Sequence, residues 1–126
     1  MKYSVPMSKD NQAIPGAQAL ALATLVTPTE GGIASRVLAK TAGGNVTLFA
    51  FDAGPGLEEH TSPFDALVVV LEGALALTIG GARVAATPGT IVRMPGGVPH
   101  ALEAPEPTRM LLVMLREPKD GPPRAV

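Results

Sequence analysis

No cysteine occurs in the 126-residue chain, so disulfides and thiolate metal sites are excluded, and any metal must be held through nitrogen and oxygen. Aromatic residues make up only 3 %, so Val, Leu, Ile, Ala and Met must fill the interior. Neither charge sign dominates: ten basic residues face eleven acidic ones, without clusters, which points away from nucleic acid and from an anionic membrane. No apolar run approaches the roughly 18–20 residues that cross a bilayer. The opening MKYSVPMSKDNQAIPG lacks the apolar core of a secretion signal, and with the missing cysteine this fits a cytoplasmic protein. Neither G-x-S-x-G nor GxxxxGK[ST] occurs, and of the serines only Ser62 lies near a histidine in sequence, which argues against a serine-nucleophile hydrolase.

Glycine (14) and proline (13) are abundant, and they fall at regular intervals. They close nine β-prone stretches: IASRVLAK, VTLFAFD, LEEHTS, DALVVVL, ALALTI, ARVAA, TIVRM, VPHALEA and TRMLLVMLRE. Short strands at such spacing predict an all-β sandwich or barrel. Glycine permits the positive φ of tight turns, and proline ends a strand because it has no N–H for the ladder. The spacing predicts an N-terminal arm and edge segment over 1–32, a barrel over 33–117 and a C-terminal tail over 118–126. Within the arm, ALALATLV (19–26) reads as a short helix or strand against the domain edge or a partner, its second half extended. LVVVL (67–71) and MLLVML (110–115) are apolar on both faces and need a second covering layer, which predicts a homodimer through the outer faces.

The chain has two histidines, His60 and His100, each in a short strand after a glycine-rich turn. If both strands face the interior, the two imidazoles converge across neighbouring strands, where facing Cβ atoms are about 5 Å apart. Such a pair suits a divalent transition metal.

At these residues the chain resembles a small single-domain cupin of the RmlC-like superfamily, within a bacterial subgroup that is mostly uncharacterised. The first cupin motif, G(X)5HXH(X)3,4E(X)6G, aligns with Gly54, His60 and Gly73, and the second, G(X)5PXG(X)2H(X)3N, with Gly89, Pro95, Gly97 and His100. The resemblance implies a double-stranded β-helix, or jelly-roll, with an interior metal pocket. It also implies four ligands, of which this sequence keeps His60 and His100. Ser62, Ala66 and Ala104 stand at the positions of the second histidine, the glutamate and the final asparagine.

Glu58 shares His60's strand parity, and Asp65 adjoins the empty glutamate position after a turn, so these two carboxylates are the candidates to complete a metal site. The metal would be divalent: Fe, Mn, Ni, Zn or Cu. Ser62, Phe64, Arg93 and Met94 are candidate substrate-binding residues; an arginine placed as Arg93 is more often a solvated strand residue, and Arg36 and Lys40 read as surface. Three functions stay open. One is a metal-dependent enzyme, an oxidoreductase or isomerase, acting on a small molecule through His60 and His100. The second is a metal-free module that binds or senses a small molecule. The third is metal-free acid–base catalysis, since imidazoles exchange protons near neutral pH.

Overall fold

A computed structural model describes residues 7–10 and 12–117. The first six residues of the arm and the tail over 118–126 lie outside the described residues. The chain forms β1 (Met7–Asp10), β2 (Ile33–Thr41), β3 (Gly44–Phe51), β4 (Gly56–His60), β5 (Ala66–Glu72), β6 (Leu75–Ile79), β7 (Ala82–Ala86), β8 (Ile91–Met94), β9 (His100–Glu103) and β10 (Thr108–Leu115). Each of the nine punctuated stretches is a strand, and no α-helix occurs among the described residues. β1, in the arm, is a further strand that the pattern did not reveal.

The strands make two sheets, a larger one in the order β1-β2-β3-β10-β5-β8 and a smaller one in the order β4-β9-β6-β7. All pairs are antiparallel except β1 with β2. Consecutive strands hop between the sheets, as β3 to β4 and β4 to β5 do, so the two sheets face each other as a jelly-roll. The facing sides bury Ile33, Phe51, Val68, Val70, Leu75, Leu77, Met94, Leu102 and Met110, with Phe49 and Phe51 stacked at 5.8 Å between centroids. Alternation follows from the pleat: Ala66, Val68 and Val70 of β5 are buried, and the residues between them are half-exposed.

The segment from residue 12 to 32 crosses the outer face of β2, β3 and β10. Ile14 donates its N–H to the Leu38 carbonyl at 3.0 Å. Arg36 donates to the carbonyls of Gln12 and Leu25, both at 3.3 Å, and Arg109 to that of Val26 at 3.3 Å. Leu48 and Ala50 are therefore buried although they point away from the barrel interior. The expectation of an extended second half for residues 19–26 needs correction. Leu22–Thr24 is a single 3-10 turn, closed by the Thr24 N–H on the Ala21 carbonyl at 3.0 Å. The Thr24 hydroxyl bonds the same carbonyl at 2.8 Å, and such a local bond competes with an extended strand. The rest of the outer face, carrying Leu67, Val69, Ile91, Leu111 and Val113, has no such cover among the described residues; Ile91 is 61 % exposed.

Candidate functional site

β4 and β9 pair with Gly56 opposite Glu103, Leu57 opposite Leu102 and His60 opposite His100. Three steps on β4 match two on β9, so β4 carries a bulge with one extra residue at Glu58–Glu59. Leu57 and Leu102 face the core. Without the bulge, His60 would face the other way; with it, His60 comes down on the inner face beside His100. Glu58 and Glu59 share the slot opposite Ala101, which places Glu58 on the outer face of the small sheet, in a shallow groove with Thr78, Ala101 and Glu103. Simple strand parity does not apply across this segment.

Two turns lock the histidines' ends together. The Gly97 N–H donates to the Ser62 carbonyl at 2.7 Å. Gly96 lies so close to the Pro63–Phe64 backbone that a Cβ on it would meet the Pro63 oxygen at 2.5 Å. Gly97 has φ +80°, which glycine adopts at little cost. Asp65 clamps the same contact: its carboxylate accepts the Gly96 N–H at 2.8 Å and the Arg93 Nε–H at 2.9 Å. The Gly96 amide, and then Arg93, hold the Asp65 carboxyl below the usual carboxylate range.

The rings of His60 and His100 meet edge to face, centroids 4.3 Å apart, with Nε2 to Nε2 at 3.2 Å. His60 Nδ1 lies 3.0 Å from the Glu58 carbonyl oxygen, and His100 Nδ1 lies 3.2 Å from that of Val98. A carbonyl oxygen only accepts, so these contacts favour the hydrogen on Nδ1 and leave Nε2 as the ring nitrogen turned to the other histidine. The two Nε2 atoms lie within reach of one shared cation. Either a proton on one ring or a metal ion can be that cation. Two nitrogens bound to one metal at ~2.1 Å and at about 90–110° are ~3.0–3.4 Å apart, a range that includes the observed separation. His100 is 5 % exposed, and His60 is open to solvent.

The other sequence candidates are placed as follows. Arg93 pairs with Leu67 on the outer face, its side chain 62 % exposed, and meets Asp65 there rather than lining the interior. Met94 is buried in the core beside Ala66. Ser62 Oγ accepts the Phe64 N–H at 3.2 Å and so shapes the turn. Phe64 is half-buried under the Arg116 guanidinium, 5.6 Å from its ring centroid. Among the described residues no group of three or more His, Asp or Glu comes together that could hold a metal ion. The described residues therefore offer a metal at most two imidazole nitrogens, and the rest of its coordination would fall to water or ligand.

The opposite end of the barrel is closed by Thr108. Its single O–H lies between the carbonyls of Ala74 at 2.9 Å and Glu106 at 2.8 Å, and its oxygen accepts the Ala74 N–H at 3.1 Å. A cleft of about 430 Å³ outside that end is lined by Glu30, Asp52, Glu72 and Arg109 among others. Three of its charged groups have partners: Glu72 pairs with Arg109 at 2.5 Å, and Asp52 accepts the N–H groups of Gly31 and Ala53, which hold its carboxyl below the usual range.

Residues 47–115, more than half of the chain, match the family described as the cupin domain. The chain belongs to the cupin family. This cupin is 33 % identical to a conserved protein of unknown function from Streptococcus pyogenes, over 86 % of this chain and 95 % of that one, with a TM-score of 0.78. A cupin superfamily protein from Desulfitobacterium hafniense is 24 % identical over 85 % of this chain and 98 % of that one, TM-score 0.77. KdgF from Halomonas sp. is 24 % identical over 73 % and 88 %, TM-score 0.64. No curated protein matches the sequence. In this cupin the family's glutamate and asparagine positions have become core: Ala66 is 3 % exposed and Ala104 is 1 % exposed.

One feature of the site end escaped sequence reasoning. A bulge at Leu38 shifts the β2–β3 register, because Val37 pairs with Thr47 but Ala39 with Val46. Beyond it Lys40 pairs with Asn45, which pairs with Met114, which pairs with Ala66, which pairs with Met94. Lys40, read from the sequence as surface, thus ends a row on the inner side of the large sheet at the histidine end. No local pattern signals this.

Proposed function

We propose that this cupin binds one small molecule at the His60–His100 end of the barrel and holds a divalent transition metal there through the two Nε2 atoms. The two Nε2 atoms at 3.2 Å, each ring oriented by a backbone carbonyl, carry the reading. The carbonyls of Glu58 and Val98 fix both rings in the tautomer that a metal needs. The metal, when bound, would supply Lewis acidity to a ligand oxygen. The rest of the site is this chain's own work: His100 is buried, and His60 leaves the outer side open to a ligand. Metal analysis and Zn2+ titration of the tag-free protein test the proposal. One equivalent is expected, lost in the His60→Ala, His100→Ala double variant; an unchanged metal content in that variant overturns it.

A second reading has its own support in the lack of a third protein ligand among the described residues. Here a proton on one ring bridges the pair, and the site binds or isomerises a small molecule without metal. Zn2+-independent ligand binding that is lost in His100→Gln favours it.

We also propose that two copies pair through the uncovered outer face of β10, β5 and β8. Its charges are already matched within the chain, Arg93 with Asp65 and Arg109 with Glu72, so the partner surface needs to be apolar, as this face itself is. Light scattering should give a dimer that Ile91→Glu converts to a monomer; a wild-type monomer overturns this.

A further inference from the structure

The two histidines lie where the small sheet is least regular. The bulge at Glu58–Glu59 interrupts the β4–β9 ladder between Leu57 and His60, so His60 lacks a regular ladder on its N-terminal side. The loops beyond the two strands make up for it. Ser62, two residues past His60, accepts the Gly97 N–H at 2.7 Å, and Gly97 stands three residues before His100. The same turn carries Val98, whose N–H donates to the Pro95 carbonyl at 3.3 Å and whose own carbonyl lies 3.2 Å from His100 Nδ1. Asp65 fastens this turn to the large sheet. It stands one residue before β5, and its backbone carbonyl accepts the Leu115 N–H of β10 at 3.0 Å. One carboxylate oxygen accepts the Gly96 N–H at 2.8 Å, and the other accepts the Arg93 Nε–H of β8 at 2.9 Å. Gly96 in turn abuts the Pro63–Phe64 backbone without room for a Cβ. A single side chain thus ties the large sheet to the turn that leads into His100, at the point where that turn meets the loop leaving His60. Arg93 is 62 % and Asp65 38 % exposed, and an ion pair so placed adds little to folding. Its effect is local, on the turn.

We infer that Asp65, oriented by Arg93, is a positioning residue of the histidine pair, which sets the separation of the two Nε2 atoms through the Gly96–Gly97 turn. The sequence offers these two residues as a metal ligand and a substrate-binding arginine; the geometry puts both one turn away from the chemistry. Asp65 supplies an oxygen to the Gly96 amide, and its charge strengthens that bond and holds Arg93 behind it. The inference rests on the reading of His60 and His100 as the site, and it holds whether a proton or a metal ion lies between them.

Long-range proton–nitrogen spectra of the imidazoles and Zn2+ titration of the full chain, each set beside the thermal unfolding midpoint, test it. Asp65→Ala is expected to shift the metal-free ring resonances of both histidines and to weaken Zn2+ binding by roughly tenfold. Asp65→Asn keeps an oxygen for the Gly96 N–H and should recover most of both effects, which separates positioning from the mere loss of a nearby charge. Arg93→Ala, at an exposed side chain, should show the same changes at smaller size and reads the effect even if Asp65→Ala fails to fold. Thr108→Val, at the far end of the barrel, should lower the midpoint and leave the rings and the Zn2+ affinity as in wild type. A wild-type protein that binds no Zn2+ sinks the metal reading alone, and shifted rings in Asp65→Ala then still support the inference. Rings that stay in place in both Asp65→Ala and Arg93→Ala, or that move as far in Thr108→Val, overturn the inference and leave the metal reading standing.

Discussion

At the Thr108 end of the barrel a hydroxyl spends every hydrogen bond it has on the turns around it, with Gly73 packed against Pro107 and Thr108. At the other end a second pair of glycine turns meets, Gly96–Gly97 against Ser62–Phe64, and what it positions is a pair of rings with two acceptors left facing each other. The construction is similar, and the outcome differs. One end satisfies its polar atoms internally; the other leaves two ring nitrogens 3.2 Å apart where His60 is open to solvent.

Substitutions at the two turns sharpen that contrast most. Gly73→Ala places a Cβ on the Pro107 oxygen and on Thr108 at φ +85° and should cost about 3 kcal/mol or more by thermal or urea unfolding. The Zn2+ affinity of the folded fraction should not change. Gly96→Ala should cost less, about 2 kcal/mol, because its φ is ordinary and the loop can shift. It should nevertheless weaken Zn2+ binding, since the shift separates the histidines. Equal effects of the two variants on Zn2+ affinity would break the comparison.

The polar side chains themselves come next. Thr108→Val leaves buried backbone groups unpaired and should cost about 2 kcal/mol. His60→Ala removes one of two facing acceptors at an exposed position, so metal-free stability should move by less than about 0.5 kcal/mol while Zn2+ binding is lost. A large loss of metal-free stability would make His60 a structural residue like Thr108.

The smallest effect is expected with acid. Asp65 has a depressed folded-state pKa, so its contribution is complete above the ordinary aspartate range and fades as pH falls through the folded value. Asp65→Asn should therefore match wild type in strong acid and fall slightly below it near neutral pH, where unfolding midpoints are compared. An offset that persists in strong acid would mean that Asp65 acts through packing and not through its charge.

The strands were legible because glycine and proline mark their ends, and turn chemistry is local. The pairing of the motifs that contain His60 and His100 was legible for the same reason, since both follow turns of fixed spacing. Orientation was legible only where strands are regular. Glu58 reads inward by parity but faces out, because a bulge is a property of two strands together and appears in neither alone. Lys40, read as surface, is exposed, and the bulge at Leu38 sets it in register with the inner row of the large sheet. Arg93 reads either way until its partner is known to be Leu67.

The extra residue at Glu58–Glu59 has a consequence for how such a site is lost. No substitution of either glutamate need disturb His60, because neither side chain faces the interior. Deleting one of them would turn the imidazole to the far side of its sheet with every other letter of the protein intact. The site is thus encoded as a count of residues between two positions, and a sequence that retains both histidines but drops one letter between Leu57 and His60 would keep the signature and lose the centre.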